Sequence, residues 1–297
     1  MPYDAIVIGG SFAGLSAAMQ LARARKRVLM IDAGQSRNRF AAKSHGFLGL
    51  DGVAPDAIMR AGARQLSAYG NAEVIHATAE HASVIDGTFV VQLGDGGERH
   101  ARRLVLATGV RDELPDIPGL RERWGQTVVH CPYCHGYEVA DQALGVLAVH
   151  AASARQATLL PDWGPTTYFT QGRFEPDAEA RARMRARGVT IERSPVVAVL
   201  GDAQQLHAVK LADGRTVRIG VLFTASRTHM SSPLAEQLGC AFDQGPLGPY
   251  IRVDDDKLTT VPGVYAAGDA ASPVYNATLA AASGVLAGQG AHQSMAC

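Results

Sequence analysis

A surplus of charge of either sign is missing from this chain: 28 Lys and Arg stand against 28 Asp and Glu, for a formal net charge of zero. A neutral chain has no general electrostatic pull on nucleic acid or on an anionic membrane surface, so neither is an expected partner. No apolar run reaches bilayer-spanning length, and residues 1–10 lack the basic start and hydrophobic stretch of a secretory leader. The expected location is cytoplasmic. Cysteine is scarce, with four in 297 residues; in a reducing compartment that number favours catalysis over a structural disulfide framework. Compositional bias toward disorder is missing as well. Hydrophobic residues make up 47% of the sequence, enough for one large core or two smaller ones, and the length favours two domains.

Two of the four cysteines fall in the stretch His130-Cys131-Pro132-Tyr133-Cys134-His135-Gly136-Tyr137-Glu138. Cysteines at this spacing can close a small disulfide ring, and a depressed thiolate pKa in such a motif makes one of them a nucleophile near neutral pH. Disulfide exchange also needs a proton acceptor, and a histidine stands on each outer side of the pair. Cys131, Cys134, His135 and His130 are the candidate catalytic residues, although His130 serves equally well as a packed or capping side chain. The same Cys-x-x-Cys spacing is half of many zinc sites, to which His130 or His135 can add a ligand. A tetrahedral site needs a second pair, and Cys240 and Cys297 are isolated from one another. The pair is therefore read as a redox centre with no metal. Cys240 and Cys297 carry no motif, and structural or incidental roles are expected of them.

The chain opens on a nucleotide signature. Asp4-Ala5-Ile6-Val7-Ile8 reads as a buried strand running into Gly9-Gly10-Ser11-Phe12-Ala13-Gly14, followed by a helix to about Arg25 and a second buried strand, Arg27 to Asp32. This is a βαβ dinucleotide unit: Gly9 permits the tight turn, Gly14 lets helix and strand approach, and the helix N-terminus faces a pyrophosphate. Ser11 replaces the usual middle glycine but is small. Asp32 is expected to accept hydrogen bonds from a ribose, and Ala33, Gln35 and Arg39 fall in the polar stretch suited to the ribose and adenine side. His45 to Gly52 is a glycine-punctuated loop, either an ordinary surface loop or the lining of a flavin or substrate pocket. A helix is expected over 54–69, and strands over 73–75 and 88–91. Another, 103–109, ends in Ala107-Thr108-Gly109, whose small residues allow close backbone approach to a cofactor.

A second unit follows the redox segment. Leu144 to Val149 looks like the first strand of another βαβ unit, but the turn after it, His150-Ala151-Ala152-Ser153-Ala154-Arg155, contains no glycine. A Cβ at each turn position blocks a pyrophosphate from the backbone. An NADPH site would also want an arginine cluster beyond the next strand, where only Gln171-Gly172-Arg173 stands. The unit is expected to keep its architecture and to bind nicotinamide poorly. The alternating arginines from Arg181 to Arg187 are interspersed with acids and read as a solvated helix. Short strands are expected over 196–200, 208–211, 217–223 and 250–253. Strand 263–270 ends in Gly268 and Asp269, placed for a flavin's ribityl and pyrophosphate side, and a final helix over 277–293 can point its dipole at the flavin ring.

The glycine turn, Ala107-Thr108-Gly109, Cys131 to Cys134 and Ala267-Gly268-Asp269, in that order, resemble the low-molecular-weight thioredoxin reductase family of FAD enzymes. The resemblance covers essentially the whole chain. It implies an α/β fold of two Rossmann-like, three-layer domains and a homodimer: an FAD domain, 1–113 and 226–297, interrupted by a redox domain, 114–225, resembling an NADPH-binding domain. Within that family the chain is most similar to the FAD-dependent dithiol oxidases that close the disulfides of natural products such as gliotoxin, holomycin and romidepsin. Ordinary members place an aspartate directly after the second cysteine; here the position is His135, an imidazole suited to taking thiol protons near neutral pH.

The resemblance implies that Cys134 faces the flavin and Cys131 exchanges with substrate. The expected activity is oxidation of a small-molecule dithiol to a disulfide, with O2 reoxidising the flavin to give H2O2. A reductase of the same fold, fed by NADPH or a ferredoxin-like donor and acting on a thioredoxin-like protein, is the alternative. A flavin-binding redox sensor is the alternative outside catalysis.

Overall fold

The computed structural model describes residues 1–296. Cys297 lies outside the described residues. The chain enters through β1 (Tyr3–Ile8), α1 (Phe12–Arg23) and β2 (Val28–Asp32). From Ala5 to Ile8 and from Val28 to Ile31 every side chain is buried, as expected of parallel strands covered on both faces. Then come α2 (Pro55–Ser67), β3 (Ala72–His76), β4 (Ala79–Ile85), β5 (Thr88–Leu93), β6 (Glu98–Leu106) and β7 (Val110–Glu113).

The next stretch holds β8 (Val128–Val129), α3 (Pro132–His135), β9 (Leu144–Leu147), α4 (Ser153–Leu159), β10 (Thr166–Phe169), α5 (Ala178–Ala186) and β11 (Thr190–Glu192). Four strands follow it: β12 (Val196–Leu200), β13 (Ala208–Leu211), β14 (Thr216–Arg218) and β15 (Val221–Phe223). The chain closes through β16 (Arg227–Met230), α6 (Leu234–Gln237), β17 (Phe242–Gln244), β18 (Pro249–Ile251), β19 (Val264–Ala266) and α7 (Ala277–Gln293).

These elements form two compact units. Among the described residues the first comprises 1–39, 55–111 and 228–296; the second comprises 40–54 and 112–227. The last two crossings between the units fall in β7 and β16. Residues 40–54 group with the second unit, a division finer than the sequence boundaries at 113 and 226.

The sheet of the first unit has the order β3-β2-β1-β6-β5-β4, with β19 also paired to β6. The long β6 serves two neighbourhoods. Its first half pairs antiparallel with β5, through Ala101 opposite Phe89, while Leu104 to Leu106 pair in parallel with both β1 and β19. Beside the sheet, α1 and α7 run together on small residues: a Cβ on Gly284 would overlap the Ala13 backbone, and one on Gly288 would come within 3.0 Å of Ala17 Cα. Gly284 and Gly288 of α7 are thus a packing requirement. Asn276 caps it, its side-chain oxygen accepting from Thr278 and Leu279 amides at 2.8 and 3.2 Å.

The second unit holds an all-parallel sheet of order β11-β10-β9-β15-β8 and an antiparallel sheet β12-β13-β14. The expected single strand over 217–223 is two. Thr216–Arg218 joins the antiparallel sheet and Val221–Phe223 the parallel one. The chain changes sheet at Gly220, where a side chain would collide with Gln142. The strand β4 has no counterpart in the sequence reading, because Ala79 to Ile85 mixes polar and apolar residues and keeps only Ala79 and Ala82 buried.

Candidate active site

The turn from β1 into α1 is shaped by its glycines. Gly9 has φ +109°, a conformation open mainly to glycine, and a Cβ there would run into the Ala107 carbonyl. A Cβ on Gly14 would overlap the Gly9 carbonyl, and one on Gly10 would overlap the Asp32 carboxylate. Ser11 is the extended N-cap of α1 and makes no side-chain capping bond. The positive end of the helix therefore opens on the turn, the arrangement that favours an anion. Phe12 and Ala13 form its first turn.

Asp32, expected to meet a ribose, is bonded to the backbone of its own unit. Its Oδ1 accepts the Gly10 amide at 3.2 Å and the Gly34 amide at 3.0 Å, bracing the glycine turn against the end of β2. Beyond it, Ala33 and Gln35 lead into a short 3-10 turn, Arg37–Phe40, in which Arg39 donates to the Ser36 carbonyl at 2.8 Å. Asn38 Oδ1 is buried without a hydrogen-bond donor, an atom that a bound nucleotide can satisfy.

Arg37, not singled out by the sequence, pairs with Asp269 Oδ2 at 2.9 Å and stacks over the Tyr275 ring at 4.3 Å. Asp269 lies 232 positions away along the chain, so no local pattern reveals the partnership. Gly268, with φ +72°, donates its amide to Ser283 Oγ at 2.7 Å. Ala107, Thr108 and Gly109, the last with φ +67°, follow β6 directly.

In the second unit, β8 delivers the chain to the redox segment. Cys131 stands extended at the N-cap of the four-residue α3, with Pro132 at its first position. Cys131 and Cys134 are disulfide-bonded, their Cα atoms 5.3 Å apart. One helical turn thus brings the two sulfurs together, closed by the Cys134 amide to the Cys131 carbonyl at 3.3 Å and the Gly136 amide to the Pro132 carbonyl at 2.7 Å. Gly136 is tight: a Cβ would stand 2.8 Å from the Trp163 ring. Tyr133 meets Trp163 edge to face, with centroids 5.8 Å apart. It is nevertheless 74% exposed, and Tyr137 is 85% exposed, so two aromatic side chains flank the disulfide at the surface.

His135 is half-buried. Burial pushes its pKa below the ordinary imidazole value; Glu138 pulls it up and His45 pushes it further down. Its neutral, proton-accepting form is therefore favoured. His130 occupies the position before Cys131, and its carbonyl accepts from Gln156 Nε2 at 2.7 Å. His45 lies on the irregular loop that the sequence left open between a surface loop and a pocket lining. Its Nε2 is 3.4 Å from Glu138 Oε1 and its Nδ1 3.6 Å from Asp51 Oδ1. Sequence reasoning had named the loop without singling out His45.

The turn after β9 is closed by the protein's own groups. The Val149 and His150 amides both donate to the buried Ser153 Oγ, at 3.2 and 3.4 Å, and His150 Nε2 bridges to the Ala225 carbonyl at 2.8 Å. Ala225 follows β15, the neighbour of β9 in the sheet. The bridge thus lies across the carboxyl ends of adjacent parallel strands, where α/β sheets take ligands. At the end of β10, the Gln171 side chain holds the backbone of Val196 at both ends, and Arg173 stacks on Phe174 at 5.4 Å.

Cys240, in the first unit, is buried and lies 3.6 Å from Thr259 Oγ1; burial raises its thiol pKa. It has the setting of an unreactive core thiol. Among the described residues no group of three or more His, Cys, Asp and Glu is placed to hold a metal ion, and no helix is long and apolar enough to cross a membrane.

The profile of the pyridine nucleotide-disulphide oxidoreductase family matches residues 3–284. The chain belongs to that family. It is similar to thioredoxin reductase tcpT of Claviceps purpurea, 33% identical over 96% of this chain and 92% of that protein. With thioredoxin reductase sirT of Leptosphaeria maculans it shares 30% identity over 97% and 93% of the two chains. Among solved structures, an oxidoreductase from Agrobacterium tumefaciens is 47% identical, with a TM-score of 0.95 over 100% of this chain and 99% of that one. The structure of HlmI is 39% identical, with a TM-score of 0.92 over 99% and 93%.

Membership makes the chain a flavin-dependent thiol-disulfide oxidoreductase of the thioredoxin reductase type, with FAD as its cofactor. The first unit fits that group. Gly9, Gly10 and Gly14 admit no Cβ in its turn, the α1 N-terminus is uncapped by Ser11, and Asn38 Oδ1 waits for a donor.

Proposed function

We propose that this protein is an FAD-dependent dithiol oxidase, closing a disulfide in a small-molecule dithiol through Cys131 and Cys134. The observation that carries the reading is the self-closed turn after β9. In a nicotinamide-binding unit the backbone of that turn faces a pyrophosphate. Here the Val149 and His150 amides are taken by Ser153, and the His150 side chain occupies the strand ends. Electrons then enter from the thiol side.

In the proposed sequence a substrate thiolate attacks Cys131 Sγ. The Cys131–Cys134 bond breaks, a mixed disulfide forms and Cys134 departs as a thiolate. The second substrate thiol gives its proton to an imidazole nitrogen of His135 and attacks the substrate sulfur of the mixed disulfide. The product disulfide leaves and Cys131 becomes a thiolate, so the enzyme pair now holds two electrons. The chemistry FAD supplies when bound is acceptance of that electron pair, with O2 as the final acceptor and H2O2 as product.

His135 is fit for this because burial lowers its pKa and so favours its neutral form. The exposed faces of Tyr133 and Tyr137 offer apolar and hydrogen-bonding surface to a small substrate. Gly9, Ser11, Phe12, Ala13 and Gly14, with Asp32 and its following turn, Ala107 to Gly109, Gly268 and Asp269, are the proposed FAD contacts. A homodimer in the cytoplasm belongs to the same reading.

The competing reading is a disulfide reductase acting on a thioredoxin-like protein, favoured by the names of tcpT and sirT. An anaerobic titration separates the two: the FAD-loaded protein is mixed separately with excess NADPH and with a small dithiol, and the flavin band is followed. Dithiol is expected to bleach it, air to restore it, and NADPH to leave it unchanged. Cys131→Ser or Cys134→Ser should keep the yellow flavin and lose the dithiol response. Rapid bleaching by NADPH makes the protein a reductase.

A further inference from the structure

Four side chains of the first unit form a chain of contacts that no sequence motif accounts for. Arg37, in the 3-10 turn that follows β2, donates to Asp269 Oδ2 at 2.9 Å, and each of the two side chains is 20% exposed. The Arg37 guanidinium also lies over the Tyr275 ring, 4.3 Å from its centroid, within the range at which an aromatic face attracts a cation. Tyr275 is held in turn: its hydroxyl stands 2.7 Å from Oγ1 of Thr228, which is 1% exposed. One cation thus has a carboxylate beside it and a ring beneath it, and the ring is tied to a buried hydroxyl.

The place of the pair in the unit gives it a role. A Cβ on Gly268 would stand 2.9 Å from Ala13 Cβ, so the segment carrying Asp269 packs on the first turn of α1, at the helix end suited to an anion. Asp32, from which the chain runs on to Arg37, accepts the Gly10 amide of the same glycine turn at 3.2 Å. The pair therefore joins the two segments that flank that turn, across 232 positions of sequence. A carboxylate at this place opposes a bound diphosphate unless a cation stands against it.

We propose that Arg37 is a positioning residue of the FAD site: seated on Tyr275, it neutralises Asp269 and fixes its carboxylate beside the α1 N-terminus. So held, Asp269 stands near a diphosphate without repelling it and accepts from a hydroxyl of the cofactor. With Arg37 gone, the carboxylate keeps its burial, loses its cation and meets the diphosphate as a like charge. The role concerns FAD retention alone and holds whichever way electrons pass through Cys131 and Cys134.

The test is the dissociation constant of FAD from the holoprotein, read on dilution from the fluorescence of released flavin, for wild type, Arg37→Met, Asp269→Asn and the double variant. Arg37→Met keeps the length of the side chain and removes its charge and its hydrogen bond, and FAD is expected to bind about tenfold more weakly. In the Asp269→Asn background the same substitution should weaken FAD by a clearly smaller factor. An unchanged constant in Arg37→Met overturns the proposal; so do equal factors in both backgrounds, which mean that Arg37 acts on FAD without Asp269. A merely structural Arg37 would lower the denaturation midpoint of the FAD-free protein and leave the FAD affinity of the folded protein unchanged, which is the first of those contrary results. Should Arg37→Met fail to fold, Tyr275→Leu puts the same question with every charge kept: removing the seat of the guanidinium is expected to weaken FAD about threefold, by less in Asp269→Asn, and an unchanged constant overturns the proposal. No thiol turnover is read, so a protein that oxidises no dithiol gives the same answer about Arg37.

Discussion

His135 carries the pH dependence of the proposed reaction, and its sign follows from burial. Loss of water disfavours the imidazolium, so the folded-state pKa lies below the ordinary value of 6.5. A base that must be neutral stays competent as pH falls through 6.5 and fails only below the lowered value. Stability follows the same window. Between the two values the unfolded chain binds a proton at this histidine and the folded chain does not, so folding stability declines as pH falls from 6.5; above 6.5 the residue contributes no pH dependence. A stopped-flow pH profile of the anaerobic dithiol half-reaction should show an acid limb centred below 6.5, absent in His135→Gln. A limb at or above 6.5 contradicts the assignment. Cys131, Cys134 and His135 were legible in the sequence because their chemistry lies within one turn. Arg37 and His45 were not, since Asp269 and Glu138, which give them meaning, stand far along the chain and are brought close only by folding.

Elements were legible where burial leaves a simple pattern. β1, β2 and β9 are continuous apolar runs because both faces are covered, and α7 spans 277–293 as its composition indicates. β4 was missed because it has little buried surface to write an alternation into the sequence, and the change of sheet at Gly220 was hidden inside one apolar run. What the composition of α7 did not disclose was its partner. The contact with α1 is nearly backbone to backbone: the Cβ of Gly284→Ala would overlap Ala13 main-chain atoms, which cannot swing aside. The helices must separate to admit a methyl group, and overpacking of this kind costs about 1–3 kcal/mol. Chemical denaturation of the FAD-loaded protein should show that loss in Gly284→Ala. Gly34→Ala, where a Cβ meets no atom within 4 Å but φ is +70°, is the comparison that isolates backbone strain from collision. Equal stability of Gly284→Ala and wild type would mean the two helices are not held at this spacing.

At the scale of the whole molecule, the order of motifs announced two nucleotide-type units. The same comparison of turns separates their fates: the first is built on Gly9, Gly10 and Gly14, while the second is filled by Ser153 and His150. Glycine content made that contrast readable before any geometry, but the replacement bonds were not readable, because a serine in a helix gives no sign of which amides it accepts. The contrast has a thermodynamic consequence. A ligand that binds only the folded state stabilises it by RT ln(1 + [L]/Kd), about 2.7 kcal/mol at a hundredfold excess over Kd. Stripping FAD should therefore lower the unfolding temperature. In hydrogen exchange the loss of protection should concentrate in the Gly9–Gly14 turn, the stretch from Asp32 to Arg39 and the segment at Gly268 and Asp269. The β9–α4 turn, whose amides are already bonded to Ser153, should keep its protection with or without FAD and on addition of NADPH. Deprotection of that turn on FAD removal, or new protection there with NADPH, would show that the second unit still takes a nucleotide and that Ser153 and His150 yield to it.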